Sequence, residues 1–231
     1  MCGRYSIVKS QGEIEGAFDV HLAGFDWVSS LRRYNVAPTQ EALVVIQEEE
    51  QRQARLFRWG LVPVWDQKRR LINIRDDTLR DKRTFRRNLL HGRCVVVADG
   101  FYEWKKISSK RKAPMYIRLE GGHAFAFAGL WSRRGAYLYG APSFSIITTS
   151  PNDLVGPIHD RMPVILSPDA LDTWLDPDLD EETDLGGLLS LLGPFPAAQM
   201  ETYEVSKVVN SPSNDGPDCI APVSGSQSTL L

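Results

Sequence analysis

The chain has 231 residues, of which 42% are hydrophobic, and its formal net charge is −2. This length and composition suffice for the core of one large domain, and the total charge gives no general sign of a nucleic-acid or acidic partner. The three cysteines are odd in number and lack a C-x-x-C pair, which argues against a disulfide framework and a structural zinc site. The sequence has no apolar stretch near the ~20 residues that a membrane span needs and no signal-peptide segment, so we expect a soluble cytoplasmic protein.

Hydrophobic periodicity and capping residues predict a mixed chain that is rich in strands. In chain order the predicted elements are a helix over 11–18, strands over 42–46 and 55–59, a helix over 78–90, strands over 93–98, 114–119, 124–130 and 144–149, and helices over 168–175 and 181–191. The strands are clustered and do not alternate with long helices, which favours an antiparallel α+β architecture. No linker or repeat interrupts residues 1–223, so we expect a single domain there, and the polar segment 224–231 is predicted to be a disordered tail.

The small net charge hides a basic block. Residues 68–118 contain 16 Lys and Arg against 5 Asp and Glu, whereas the rest of the chain has 13 more acidic than basic residues. Such a block is typical of a groove for a polyanion, or alternatively of a solvated helix face. The block also contains aromatic residues that can stack on nucleic-acid bases, namely Phe101, Tyr102, Trp104 and Tyr116.

Cys2 directly follows the initiator methionine. Removal of Met1 would expose an α-amine, with a reference pKa of roughly 7.7–8.0, next to a thiol with a reference pKa near about 8.5. An aldehyde that meets this pair can form an imine and then close to a five-membered thiazolidine ring. The alternative is a cysteine beside the start codon with no chemical role.

Four loop-like stretches contain polar residues that a core would not require. Asn35 lies in 34–38, Asn73 in 71–75, Glu103 among the aromatic residues of 99–104, and His159 in 158–163. Desolvation of a carboxylate such as Glu103 raises its pKa toward the range that general acid–base catalysis uses. Each residue also has a structural interpretation, as a turn residue, a salt-bridge partner or a hydrogen-bonded core histidine.

Taken together, these segments resemble one family. The ordered set is MCGR at 1–4, YNVAP at 34–38, WGLVPVW at 59–65, NIR at 73–75, ADGFYEW at 98–104, IHDRMP at 158–163 and VSKVVN at 205–210. It resembles the SOS-response-associated peptidase (SRAP) domain, whose members include an abasic-site sensor found from bacteria to animals. The resemblance extends to about residue 223, and without the long C-terminal extension of the animal proteins the chain is similar to the single-domain bacterial form.

The resemblance implies a fold and a chemistry. The fold is a compact α+β domain of twisted antiparallel strands that form a sheet or barrel-like core with flanking helices. The chemistry is a thiazolidine between the N-terminal cysteine and the ring-opened sugar of an abasic site in single-stranded DNA. It requires no metal or cofactor and is expected of a monomer.

The family's functional positions fall on particular residues of this chain. The catalytic positions are Cys2 as nucleophile, Asn73 as the group that orients it, Glu103 for proton transfer, and His159 for the sugar oxygen. The DNA-binding positions fall into two groups. The arginines that hold phosphates are Arg4, Arg75, Arg83 and Arg161. The residues that contact or separate the bases are Asn35, Pro38, Trp65 and Trp104. Two departures flank the Asn73-x-Arg75 pair, since the family commonly has Ala at Ile74 and Glu at Asp77.

Two other functions remain possible on the residues alone. An N-terminal-nucleophile peptidase or amidohydrolase also uses a cysteine with a glutamate and a histidine, but it needs an oxyanion site and has no use for a basic block. A noncovalent single-strand binding module has no need for cysteine at the mature N-terminus. DNA crosslinking therefore accounts for more of the sequence, with self-removal of Met1 or its removal by an aminopeptidase as the accompanying step.

Overall fold

A computed structural model describes residues 2–25, 31–63, 65–66, 68–81, 83–133 and 142–223, except for the side chains of 81 and 83. The predicted tail 224–231 lies outside the described residues. The α+β class is confirmed, with a strand-rich core and short helices at its surface. Among the described helices none is long and apolar enough to cross a membrane.

Thirteen strands are formed within the described residues. They are β1 Tyr5–Ile7, β2 Arg33–Val36, β3 Glu41–Glu48, β4 Gln51–Trp59, β5 Asn73–Arg75, β6 Arg93–Ala98, β7 Gly100–Lys106, β8 Lys112–Leu119, β9 Phe125–Ser132, β10 Ser143–Thr149, β11 Met162–Pro163, β12 Ile165–Leu166 and β13 Met200–Glu204. The α-helices are α1 Gln11–Phe18, α2 Asp76–Asp81, α3 Arg86–His91, α4 Pro168–Leu175 and α5 Leu185–Ser190.

The larger sheet closes on itself. Its strands follow the order β11-β10-β4-β3-β6-β9-β12, and β10 also pairs with β9, so that β10, β4, β3, β6 and β9 form a closed ring. Closure removes the unpaired edges that an open sheet would expose. The ring is tightly packed at Gly129, where a Cβ would lie 2.9 Å from the Cys94 sulfur. The barrel-like core that the family resemblance implies is therefore present.

The smaller sheet has five strands in the order β13-β8-β7-β1-β2 and packs on the barrel. Tyr5 of β1 contacts Trp59 and Phe127 of the barrel at ring-centroid distances of 5.2 and 5.9 Å. Phe101 of β7 contacts Phe127 at 6.0 Å. These aromatic contacts join the two sheets in one continuous core.

The structure differs from the sequence-based elements in strand content, in two helices and in strand direction; among the loop-like stretches, residues 73–75 and 162–163 form β5 and β11. Residues 34–36 and 100–104, expected in loops, lie in β2 and β7, because both strands pair with β1. The helix predicted over 78–90 is divided into α2, a 3₁₀ turn at Arg83–Phe85 and α3, and the helix predicted over 181–191 is a 3₁₀ turn at Glu182–Asp184 followed by the shorter α5. The pairing is antiparallel except that β10 runs parallel to both β4 and β5.

Candidate active site

Four separate segments meet where the smaller sheet packs on the barrel. Cys2 precedes β1, Glu103 lies in the middle of β7, Asn73 begins β5, and His159 lies in the loop before β11. Pairing of β1 with β7 places the N-terminal segment beside Glu103. Pairing of β5 with β10 holds Asn73 at the facing edge of the barrel sheet.

Asn73 is bonded directly to the N-terminal segment. Its side-chain Nδ2 donates to the main-chain oxygen of Cys2 at 2.8 Å, and this bond links the two sheets across the site. The Cys2 thiol is fully buried and lies 3.7 Å from the carbonyl oxygen of Arg4, to which it donates. The amide oxygen of Asn73 is also buried and accepts no hydrogen bond from the described residues. Asn73 therefore fixes the Cys2 main chain and keeps one acceptor available.

Burial and a neighbouring carboxylate control the Cys2 thiol. Burial, with a smaller contribution from the negative charge of Glu103, raises the pKa of this thiol far above its ordinary value. The thiol is therefore protonated at neutral pH and needs a base before it can act as a nucleophile. Glu103 is the acidic side chain whose charge acts on it.

Glu103 is a buried carboxyl group beside an imidazole. Only 3% of the residue is exposed, and burial raises the pKa of Glu103 above its ordinary value, although the nearby His159 acts in the opposite direction. The His159 Nε2 lies 4.0 Å from Oε2 of Glu103. A carboxyl group with a raised pKa can both donate and accept a proton near neutral pH.

His159 has a partner in each of its protonation states. As a neutral ring it accepts at Nδ1 from the backbone N–H of Arg161 at 3.1 Å, which leaves the proton on Nε2 facing Glu103. As an imidazolium it has the Asp160 carboxylate 2.9 Å from Nδ1. A side chain that is satisfied in both states is suited to transfer a proton.

The amino-acid sequence of residues 1–212 matches the model of the family described as SOS response associated peptidase (SRAP). The chain belongs to the SRAP family. It is 42% identical over 95% of its length to the abasic site processing protein YoqW of Bacillus subtilis, covering 99% of that protein. It is 33% identical over 83% of its length to the abasic site processing protein YedK of Escherichia coli, covering 85% of it. A solved protein of Bacteroides thetaiotaomicron has the same fold, with a TM-score of 0.80 at 25% identity over 96% of this chain and 100% of that one.

Arg75 and Arg161, two of the arginines predicted to hold DNA phosphates, have different surroundings. Arg75 is half exposed and forms a two-nitrogen ion pair with Asp77, which raises the pKa of Arg75. Arg161 has only 12% of its side chain exposed, and it donates to Asp76 at 2.6 Å and to the carbonyl oxygen of Thr148. Arg75 can therefore exchange its partner for a phosphate more readily than Arg161.

Arg4 and Asn35 are tied into the protein scaffold. Arg4 donates to the Asn35 side-chain oxygen and to the Val209 carbonyl, each at 2.8 Å, and burial lowers its pKa. Asn35 is fully buried, and its Nδ2 lies within hydrogen-bonding distance of the Val209, Ser211 and Asn214 carbonyls. The structure thus places the predicted DNA contact Asn35 in the interior, where it holds the segment that carries Cys2.

An open cleft of about 340 Å³ leads from Asn73 to the protein surface. It is bordered by Arg75 and by Trp65, which is 51% exposed and packs edge-on against Phe85 at 5.1 Å. Pro38 and Trp104 are partly buried. Arg83 lies in the 3₁₀ turn, but its side chain is outside the described part of the structure.

Two supporting residues were not identified from the sequence. Asp76 binds Arg161 and also accepts from Thr149 Oγ1 at 3.0 Å, and it directly follows the Asn73-x-Arg75 pair. Asn210 binds Arg4 through its carbonyl oxygen and the Trp104 indole through its side chain. Asp76 adjoins one conspicuous motif and Asn210 ends another, which was the only local signal available.

Proposed function

We propose that this SRAP protein captures abasic sites in single-stranded DNA by a covalent bond to its N-terminal cysteine after Met1 has been removed. Relatives that align with nearly the whole chain are named abasic site processing proteins. The observation that carries the proposal is a partly buried cluster, in which Asn73 fixes the main chain of the buried Cys2 while Glu103 and His159 face each other beside it. The protein acts in the cytoplasm as a monomer that needs no cofactor.

The proposed reaction forms two bonds to one sugar carbon. The Cys2 α-amine attacks C1′ of the ring-opened abasic sugar, and loss of one water gives an imine. The Cys2 sulfur then adds to the imine carbon, its proton ends on the nitrogen, and a five-membered thiazolidine results. No oxidant or reductant is needed, and water is the only product released.

The neighbouring side chains supply proton transfer and orientation. Glu103 accepts the proton of the amine or thiol and returns it to the departing oxygen. His159 donates a hydrogen bond or a proton to the sugar oxygen as the ring opens. Asn73 orients the amine by holding the carbonyl group of the same residue. The DNA phosphates are held by three arginines, Arg75, Arg161 and Arg83. The stacking and wedge surface for the bases consists of Trp65, Pro38 and Trp104. The segment that carries Cys2 is supported by Arg4 and Asn35.

The test is intact mass and heat-stable gel mobility after incubation with an abasic single strand. Protein that has lost Met1 should form a heat-stable adduct, whereas Cys2→Ala keeps an α-amine and should form only an imine that borohydride is needed to trap. Retention of Met1 should prevent the heat-stable product, because the Cys2 nitrogen is then part of a peptide bond and cannot share a thiazolidine ring with its sulfur. Cys94→Ala is the matched control, since Cys94 is also a buried free thiol. A heat-stable adduct of Cys2→Ala without reduction would exclude the thiazolidine.

A thiol peptidase acting on other proteins is the alternative that the family description suggests. This alternative accounts for less of the chain, because a peptidase has no use for the basic block of residues 68–118. Met1 removal, by the protein itself or by an aminopeptidase, is the one peptide cleavage that the proposal requires. The two routes are separated by measuring how much Met1 is retained in wild type and in Glu103→Gln, in cells whose methionine aminopeptidase does not act on this chain. Loss of Met1 from wild type but not from Glu103→Gln would indicate removal by the protein itself.

A further inference from the structure

A basic groove follows the hairpin that joins β7 and β8. Its volume is about 580 Å³, and Trp104 and Asn210 line the end nearest the rest of the smaller sheet. Its other walls are mostly positively charged and exposed side chains, namely Lys106, Lys110, Arg111, Lys112 and Lys207. We call this feature the hairpin groove.

The five cations of the hairpin groove differ from many other cations of the protein in lacking a carboxylate partner among the described residues. Within the described ranges, none of the five forms an ion pair, whereas arginines such as Arg33, Arg55 and Arg118 are paired with carboxylates. Lys106 lies directly opposite Lys112 in the β7–β8 ladder. Like charges in that position destabilise a strand pair. Repulsion between these lysines would be relieved by a bound polyanion, so the hairpin groove is suited to bind one.

The hairpin groove is linked to the segment that carries Cys2 through Asn210. Trp104 directly follows Glu103 in β7, and its indole nitrogen donates to the Asn210 side chain at 2.8 Å. The carbonyl oxygen of the same Asn210 accepts from Arg4 at 3.1 Å, two residues from Cys2. Trp104 and Lys106 share one face of β7, whereas Glu103 lies on the other, because successive side chains of a strand alternate between its faces. The Asn210 contacts therefore place the Trp104 end of the hairpin groove one side chain away from Arg4, in the N-terminal segment that carries Cys2.

We propose that the hairpin groove binds the phosphodiester backbone of the DNA strand that flanks the abasic nucleotide. The positive side chains displace counterions from consecutive phosphates and so hold the strand while the covalent step takes place at Cys2. The proposal rests on the proposed function only in taking DNA as the ligand. It adds a second contact region, which shares no lining residue with the cleft that Trp65 and Arg75 border.

The test compares strand lengths with an abasic analogue that lacks an aldehyde and cannot crosslink. Binding to a pentanucleotide and to a strand of about 20 nucleotides is measured at several salt concentrations. In Lys110→Ser/Arg111→Ser, the logarithmic salt slope for the long strand should fall by about 1.4, at about 0.7 per lost contact, and the long strand should lose its affinity advantage. Pentanucleotide affinity should stay at the wild-type value.

The matched control is Lys9→Ser/Arg55→Ser, which removes the same charge from two residues outside the hairpin groove. If this control loses as much salt dependence as the hairpin variant, or if the hairpin variant matches wild type, the proposal is wrong. Crosslinking to an aldehyde-containing pentanucleotide is measured in parallel. Failure of wild type to crosslink would overturn the proposed function, whereas the length and salt comparison would still decide the role of the hairpin groove.

Discussion

The buried Glu103 faces the partly exposed His159, and their roles are testable one side chain at a time. We predict that Glu103→Gln and His159→Ala each slow adduct formation, by about 10²–10⁴ if general acid–base catalysis is lost, while affinity for undamaged single strands is kept. Single-turnover crosslinking against pH provides the measurement. The wild-type rate should contain a step at the raised pKa of Glu103 that is missing from Glu103→Gln.

Equal rates for both variants and wild type between about pH 5 and 8 would mean that Cys2 acts without either group. Glu15→Gln is the control, because the Glu15 pKa is lowered at the surface and its loss should leave the rate profile unchanged.

Protein stability gives an independent readout of the same carboxyl group. Because burial raises the pKa of Glu103, the folded state binds its proton more tightly than the unfolded state does. The free energy of unfolding should therefore decrease as the pH rises from the ordinary glutamate pKa through the raised one. Glu103→Gln should remove this decrease, as urea titrations at several pH values can determine.

At the scale of elements, the β5–α2 corner should separate DNA binding from folding. Arg75→Gln removes a half-exposed guanidinium, so we predict weaker single-strand binding, a salt slope lower by about 0.7, and nearly unchanged stability. Arg161→Gln breaks a mostly buried pair and leaves Asp76 without its cation, so it should also lower the free energy of unfolding, by about 3–5 kcal/mol.

Salt-dependent binding and urea denaturation of the same two variants test this difference. Equal stability losses would show that the Arg161–Asp76 pair does not hold the corner together. An unchanged salt slope for Arg75→Gln would place the DNA elsewhere.

Elements with local start signals were predictable from the sequence. Helices α1 and α4 begin and end at the predicted residues, because Ser10 and Ser167 cap them with their own side chains. The division of the helix predicted over 78–90 could not be predicted from the sequence. It occurs at a 3₁₀ turn where Phe85 packs against Trp65, and the amphipathic pattern does not specify that turn. Likewise β2 depends on pairing with β1, a contact between residues about 30 positions apart.

The candidate site divides in the same way. Cys2, Asn73, Glu103 and His159 were identified because each lies in a distinctive motif, and the fold brings them together. The supporting contacts of Asp76 and Asn210 were not identified from the sequence, because they depend on which groups the fold places beside these two residues. The burial of Asn35, which was predicted to bind DNA, could not be foreseen either, because it depends on the packing of residues 209–214 against β2.

At the scale of the whole molecule, the candidate site belongs to both sheets. Cys2 and Glu103 are carried by the smaller sheet, whereas Asn73 is carried by the barrel sheet, and one hydrogen bond joins them. Tyr5 and Phe101 pack on Phe127 across the same boundary. The site therefore exists only while the sheets remain packed together.

We accordingly predict that residues 1–223 unfold as one cooperative unit. Ile46→Val in the barrel and Ile117→Val in the smaller sheet each delete a buried methylene group, and each should lower the free energy of unfolding by about 0.5–1.5 kcal/mol. In both variants, tryptophan fluorescence, far-ultraviolet circular dichroism and crosslinking competence should be lost with one midpoint, because loss of either sheet removes the other's core partner. If Ile117→Val shifts a separate transition in which crosslinking disappears while the barrel persists, the two sheets are independent units and the single-domain assignment is wrong.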